Sequence, residues 1–188
     1  CSSDLYIKYI NKYIIIINMY INSSNIYRIR DELIRKRAEQ TKASNYKSTF
    51  NANHMCAILD QSGVPISFGT NVHNIKVPTT EHAEAQALRK LLERLGRTTK
   101  KLKIDILVVR TNGHNSKPCD RCIKRMEELK SRFVIKNIYF THEDEPDGIR
   151  CVKFCKLIED PERHYSSYDR NVRRVGQDIT NTQFVQCA

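Results

Sequence analysis

The chain is poor in the features that several common functions require. It has only six glycines among 188 residues, and they form no loop able to cradle phosphates, so a nucleoside triphosphatase is not indicated. It shows no internal repeat. No hydrophobic stretch is long enough to span a bilayer, and the apolar run Tyr13 to Ile17 is hemmed in by Lys8, Asn11, Lys12 and Asn18. A secretory signal would need a small-residue cleavage site, which residues 1–25 lack, and a transit peptide would be richer in Arg and Ser, so a targeting role is only a weak expectation. With its first Met at position 19, that Ile/Asn/Tyr/Lys-rich segment reads as a processed or incompletely defined terminus, outside the folded domain. There is no disulfide framework either: Cys1, Cys56, Cys151, Cys155 and Cys187 are scattered. A reducing, intracellular compartment is the expectation.

What is present is positive charge. The formal net charge is +11 with a pI near 9.4, a balance that favours polyanionic partners without saying anything about fold. The excess is dense between Lys101 and Phe140.

Two short motifs carry the chemistry. His82-Ala83-Glu84 is followed, 37 residues after the His, by Pro118-Cys119-Asp120-Arg121-Cys122. One His and two Cys are the donors zinc prefers, and three protein ligands leave a tetrahedral position open for water, as catalytic rather than structural zinc sites do. Cys119 and Cys122 are three apart, on one side of a helix turn, and Pro118 suits a first helical position. Pro78-Thr79-Thr80 is a helix start, with Leu88, Leu91, Leu92 and Leu95 repeating behind it, so a helix is expected over Thr80 to Leu95, ending at Gly96. Two helix N-termini would converge on one metal, their positive ends lowering the thiol pKa values. A redox Cys-x-x-Cys and a four-ligand structural zinc are the alternatives, but neither needs a Glu two residues after the His.

These motifs resemble those of the cytidine deaminase-like superfamily, and the resemblance runs from about Ser44 to Leu157. It implies an α/β, three-layer fold with a five-stranded mixed sheet and both zinc-bearing helices on one face. It further implies Zn2+ held by His82, Cys119 and Cys122, with Glu84 as the catalytic acid/base. Asn71, in a Gly-x-Asn after the second strand, would reach the substrate sugar, and the Ala83 N–H would help hold the base. An Asn capping its own turn is the plainer reading of Asn71. The separation of the motifs is longer than in many members, with the extra length falling in Arg97 to Lys103 and Asn112 to Lys117.

Around the motifs, Ile26, Ile29, Leu33, Ile34 and Ala38 mark an amphipathic helix beginning at Ser24 and ending near Ala43-Ser44-Asn45. Its Arg28, Arg30, Arg35, Lys36, Arg37 and Lys42 read as a solvated face. Met55 to Leu59 and Pro65 to Phe68 make a hairpin around Asp60-Gln61-Ser62-Gly63. Ile104 to Arg110 and Val134 to Phe140 read as parallel strands of a β-α-β-α-β order, with the Cys helix between them running to about Ser131. The loop Thr141 to Gly148 is too short for a parallel return, so a strand over Arg150 to Leu157 is expected antiparallel, with Cys151 and Cys155 buried on one face. The folded domain is thus expected over 26–160. Beyond it, Pro161 to Val175 interleaves Arg163, Arg170, Arg173 and Arg174 with His164, Tyr165 and Tyr168, as single-strand binders do, or is an ordinary charged helix.

The leading expectation is hydrolytic deamination of cytosine, in a nucleic acid or nucleotide, by a zinc enzyme with no membrane association and of a family in which homo-oligomers are common. A free cytidine salvage deaminase is the alternative within the class. A deaminase-derived nucleic-acid-binding protein without activity, or a redox Cys-x-x-Cys protein, is the alternative outside it.

Overall fold

The computed structural model describes residues 24–39, 54–73, 80–97 and 100–162. The elements run in the order α1 (24–39), β1 (His54–Leu59), β2 (Pro65–Thr70), β3 (Val72–His73), β4 (Thr80–Glu81), α2 (Ala83–Leu95), β5 (Leu102–Arg110), α3 (Asp120–Glu128), β6 (Phe133–Thr141), β7 (Ile149–Lys153) and α4 (Phe154–Glu159). Five strands form one mixed sheet in the order β2-β1-β5-β6-β7. β1 is antiparallel to both β2 and β5, β5 is parallel to β6, and β7 is antiparallel to β6. Hence β2, β5 and β6 all point the same way, and the connections leaving their carboxyl ends gather at one edge of the molecule.

The sheet is covered on both faces. Cys56, Ile58, Ile104, Ile106 and Val108 pack under Ala87, Leu88 and Leu91 of α2 and Ile123 and Met126 of α3. On the opposite face Met55, Ala57, Leu59, Leu107 and Val109 pack against Ile26, Ile29 and Leu33 of α1. This alternation explains why β5 reads as a continuous apolar run: both of its faces are dry. Each fully buried Leu or Ile contributes about 1.5–3 kcal/mol, so α1 is fixed by its stripe. The Asp60 carboxylate closes the hairpin by accepting the Ser62 and Val64 N–H groups at 2.8 and 2.9 Å. The three-layer arrangement, the five-stranded mixed sheet and its antiparallel last strand agree with the sequence reading.

Five details differ. α2 begins at Ala83 and not at Thr80, because Thr80 and Glu81 pair with His73 and Val72 as a small antiparallel ribbon. Pro118 stands one residue before the N-cap, Cys119, and is not the first helical residue. The last strand stops at Lys153 and the chain turns into α4, where Phe154 and Leu157 reach the core at helical spacing. Cys151 and Cys155 consequently lie on different elements and both are exposed, not buried on one sheet face. Ala38 is also exposed; the apolar stripe of α1 ends with Ile34. The end of that helix near Ala43, residues 1–23 and the Arg/Tyr-rich stretch from Arg163 onward lie outside the described residues. Among the described residues no helix is long and apolar enough to cross a membrane.

Candidate active site

His82 and Cys119 occupy equivalent places, each the N-cap of the helix that follows. Both have extended backbones, φ/ψ −72°/154° and −74°/163°, and their carbonyls accept the first helical N–H groups, from Gln86 and Ile123, at 3.0 Å. Neither side chain caps its own helix. They are therefore free to meet. The His82 Nδ1 lies 3.3 Å from Cys119 Sγ and 3.3 Å from Cys122 Sγ, and the donor atoms of the three residues fall within 4.8 Å of one another.

The three groups shift one another's titration. A hydrogen bond from Cys122 and the neighbouring His82 hold the Cys119 thiol down, to about 4, while the same hydrogen bond and burial push Cys122 up. The hydrogen bond to Cys119 raises His82 against the opposing effect of its burial. Glu84 sits in the first turn of α2, only 5% exposed. Burial raises its carboxyl, and His82 pulls the other way.

The seat of α2 is set by backbone contact. A Cβ on Gly69 would lie 2.0 Å from the Ala83 carbonyl oxygen and 2.6 Å from the Ala87 nitrogen, so only glycine lets β2 approach the helix this closely. Ser67 Oγ donates to the Ala87 carbonyl at 2.8 Å, and Gln86 Oε1 accepts the Thr70 N–H at 3.0 Å. Immediately after β2, Asn71 Oδ1 accepts the Ala83 N–H at 2.8 Å, and its Nδ2 lies 3.5 Å from His54 Nδ1.

The model of the cytidine and deoxycytidylate deaminase zinc-binding region matches residues 29–140. The chain belongs to this family. No curated protein matches it. Among solved structures it resembles cytidine deaminase from Burkholderia pseudomallei, with 21% identity over 71% of this chain and 98% of that one, and a TM-score of 0.48. Cytidine deaminase from Mycobacterium tuberculosis shares 23% identity over 70% of this chain and 94% of its own, with a TM-score of 0.43. A dCMP deaminase from the cyanophage S-TIM5 shares 17% over 63% and 86%, with a TM-score of 0.38.

The donor set fits the zinc of a deaminase. Zinc with bonds of the usual lengths to sulfur and nitrogen would separate S from N by about 3.6 Å across a tetrahedron edge, close to the 3.3 Å found. Two soft sulfurs, one held down toward the thiolate, and an imidazole nitrogen are what such an ion needs.

The structure gathers the candidate ligands His82, Cys119 and Cys122 in one cluster with Glu84 beside it, whereas the Ala83 N–H, expected to hold the base, here donates to Asn71. It adds residues that the sequence did not mark. Ser116 Oγ donates to the Val108 carbonyl at 2.8 Å and accepts the Thr141 N–H at 2.9 Å, and the Ser116 N–H donates to the Thr141 carbonyl at 2.9 Å. This buried knot ties the loop before Cys119 to the ends of β5 and β6. Lys117 Nζ, two residues before Cys119, reaches Asp160 beyond α4 at 2.7 Å. Ser116 could have been suspected only from its place between two strand ends, since a hydroxyl in a loop has no distinctive spacing.

Proposed function

We propose that the chain is a zinc-dependent hydrolytic deaminase that converts cytosine to uracil in a nucleotide or nucleic acid. The observation that carries this reading is Glu84, a buried carboxyl on the first turn of α2, next to a His/Cys/Cys cluster that does not need it as a ligand. A purely structural metal site has no use for such a group.

His82, Cys119 and Cys122 would hold the zinc, which when bound supplies the Lewis acidity that makes water nucleophilic near neutral pH. Glu84 does the proton work. Its carboxylate takes a proton from the water that adds at C4 of cytosine and gives it to N3 of the ring, then takes the second proton from the new C4 hydroxyl and passes it to the amine, which leaves as ammonia as the C4 carbonyl forms. Burial raises its carboxyl, the direction that makes it a better proton donor once it has taken a proton. Asn71 and Ala83 would face the substrate, and their mutual hydrogen bond holds the turn into α2.

Cytidine, deoxycytidylate, single-stranded DNA and RNA incubated separately with the zinc-loaded protein, with ammonia and uracil measured, test the reading. Release from at least one of them is expected. Stoichiometric zinc with no release from any would leave a binding protein built on a deaminase fold.

A further inference from the structure

Side chains alternate between the faces of a sheet, and the two core clusters show which face is which. Cys56 on β1 and Val108 on β5 belong to the α2/α3 side, and they are register partners. Two residues further along, His54 pairs with Arg110. By the alternation, His54 and Arg110 lie on the same side, one row beyond Cys56, the residue that feels the Glu84 carboxylate. That row borders the site: His54 Nδ1 is 3.5 Å from Asn71 Nδ2, and Asn71 holds the Ala83 N–H.

Arg110 Nε is buried there without a hydrogen-bond partner, and its guanidinium makes no ion pair among the described residues. The acidic loop after β6 does not supply one. Glu143 accepts the Asn115 N–H at 2.7 Å and faces His114, Glu145 pairs with Arg150 at 2.6 Å, and Asp147 accepts from Tyr27 at 3.0 Å. A buried guanidinium N–H without an acceptor is rare and costly. Only Nε of the half-buried guanidinium is enclosed, and a neutral cytosine carbonyl would use one donor and bring no opposite charge. A phosphate takes two donors of the planar fork and neutralises it.

We propose that Arg110 is a specificity-determining residue that binds the phosphate of a phosphorylated cytosine substrate, on the side of the site marked by His54 and Asn71. This rests on the deaminase reading for the cytosine moiety, and the phosphate belongs either to a free mononucleotide or to a single strand.

Binding is measured by calorimetry on zinc-loaded Glu84→Gln protein with deoxycytidine, dCMP and a short single-stranded DNA holding one cytosine. At least one phosphorylated ligand is expected to bind about tenfold or more tighter than deoxycytidine. Tighter binding of dCMP alone identifies the free nucleotide as the source, and tighter binding of the strand identifies the polymer. Adding Arg110→Gln removes most of the difference, and Arg110→Lys, which keeps the charge but not the fork, retains part of it. Should Arg110→Gln fail to fold or to hold zinc, inorganic phosphate decides: it competes with the phosphorylated ligand and not with deoxycytidine. Equal affinity for all three ligands, no binding of either phosphorylated one, a difference that survives in a folded Arg110→Gln protein, or no competition by phosphate overturns the proposal. Ammonia release by the unmutated protein is measured in parallel. Its absence with phosphate-dependent binding intact would remove the deaminase reading and leave the subsite standing.

Discussion

Asn71 Oδ1 accepts the backbone N–H of Ala83 at 2.8 Å, which joins the loop after β2 to the residue between His82 and Glu84. The bond satisfies one of the donors that a helix start leaves open. Asn71→Ala should therefore lower kcat/KM about 10- to 100-fold by loosening the turn that carries both motif residues. Zinc content should stay near one per chain. Steady-state kinetics together with metal analysis check this, and unchanged kcat/KM would show that the bond has no part in catalysis.

Glu84→Gln keeps the shape of the side chain and removes its ability to carry a proton. Turnover is expected to fall by at least about 10²- to 10⁴-fold, with zinc retained. Residual activity within about tenfold of the unmutated protein would be incompatible with a sole proton shuttle.

At Gly69 the issue is space. An Ala there would place its Cβ 2.0 Å from the Ala83 oxygen, so either β2 or the first turn of α2 must move. A loss of about 1–3 kcal/mol is expected in denaturant unfolding, along with weaker zinc retention. A variant as stable as the parent would mean that the contact relaxes at no cost.

Ser116→Ala removes the acceptor of the buried Thr141 N–H and the donor to the Val108 carbonyl. The expected cost is about 1–3 kcal/mol, and zinc should leave faster to a chelator, because the loop leading to Cys119 loses its tie to the strand ends. Chelator-challenge kinetics measure the second effect separately from the first.

If the substrate is a strand, binding should weaken steeply with salt. The charges on α3 are not equivalent in this respect. Lys124 pairs with Asp120 and Arg125 with Glu128, each at 2.8 Å, whereas Arg121 is exposed and acts on His82. Arg121→Glu is thus expected to reduce the salt slope by about 0.7 or more, the contribution of one single-strand phosphate, and Lys124→Ala to change it less.

The sheet, the paired helices and the His/Cys/Cys cluster were legible because each leaves a local mark. β5 is a dry apolar run, the leucines of α2 repeat at helical spacing, and three donors sit in two short motifs. The rest depends on where chain segments meet. Thr80 resembles a helix start until His73 is found across from it. Cys151 and Cys155 share strand parity only while the strand continues, and the burial of Phe154 and Leu157 ends it. Arg110 looks like the polar end of a strand; its significance comes from its register partner His54 and from an Nε without an acceptor.

The helix on the far side of the sheet sets a limit on trimming the protein. α1 covers Leu107 and Val109, the outward-facing neighbours of the strand row that leads to Arg110. It also grips the β6–β7 connection, where Arg30 donates to the Asp147 carbonyl at 2.7 Å. A fragment starting at His54 would keep all three candidate metal ligands and Glu84 but would expose an apolar sheet face to water. Such a fragment should be recovered as insoluble aggregate, so the smallest piece worth expressing must include α1.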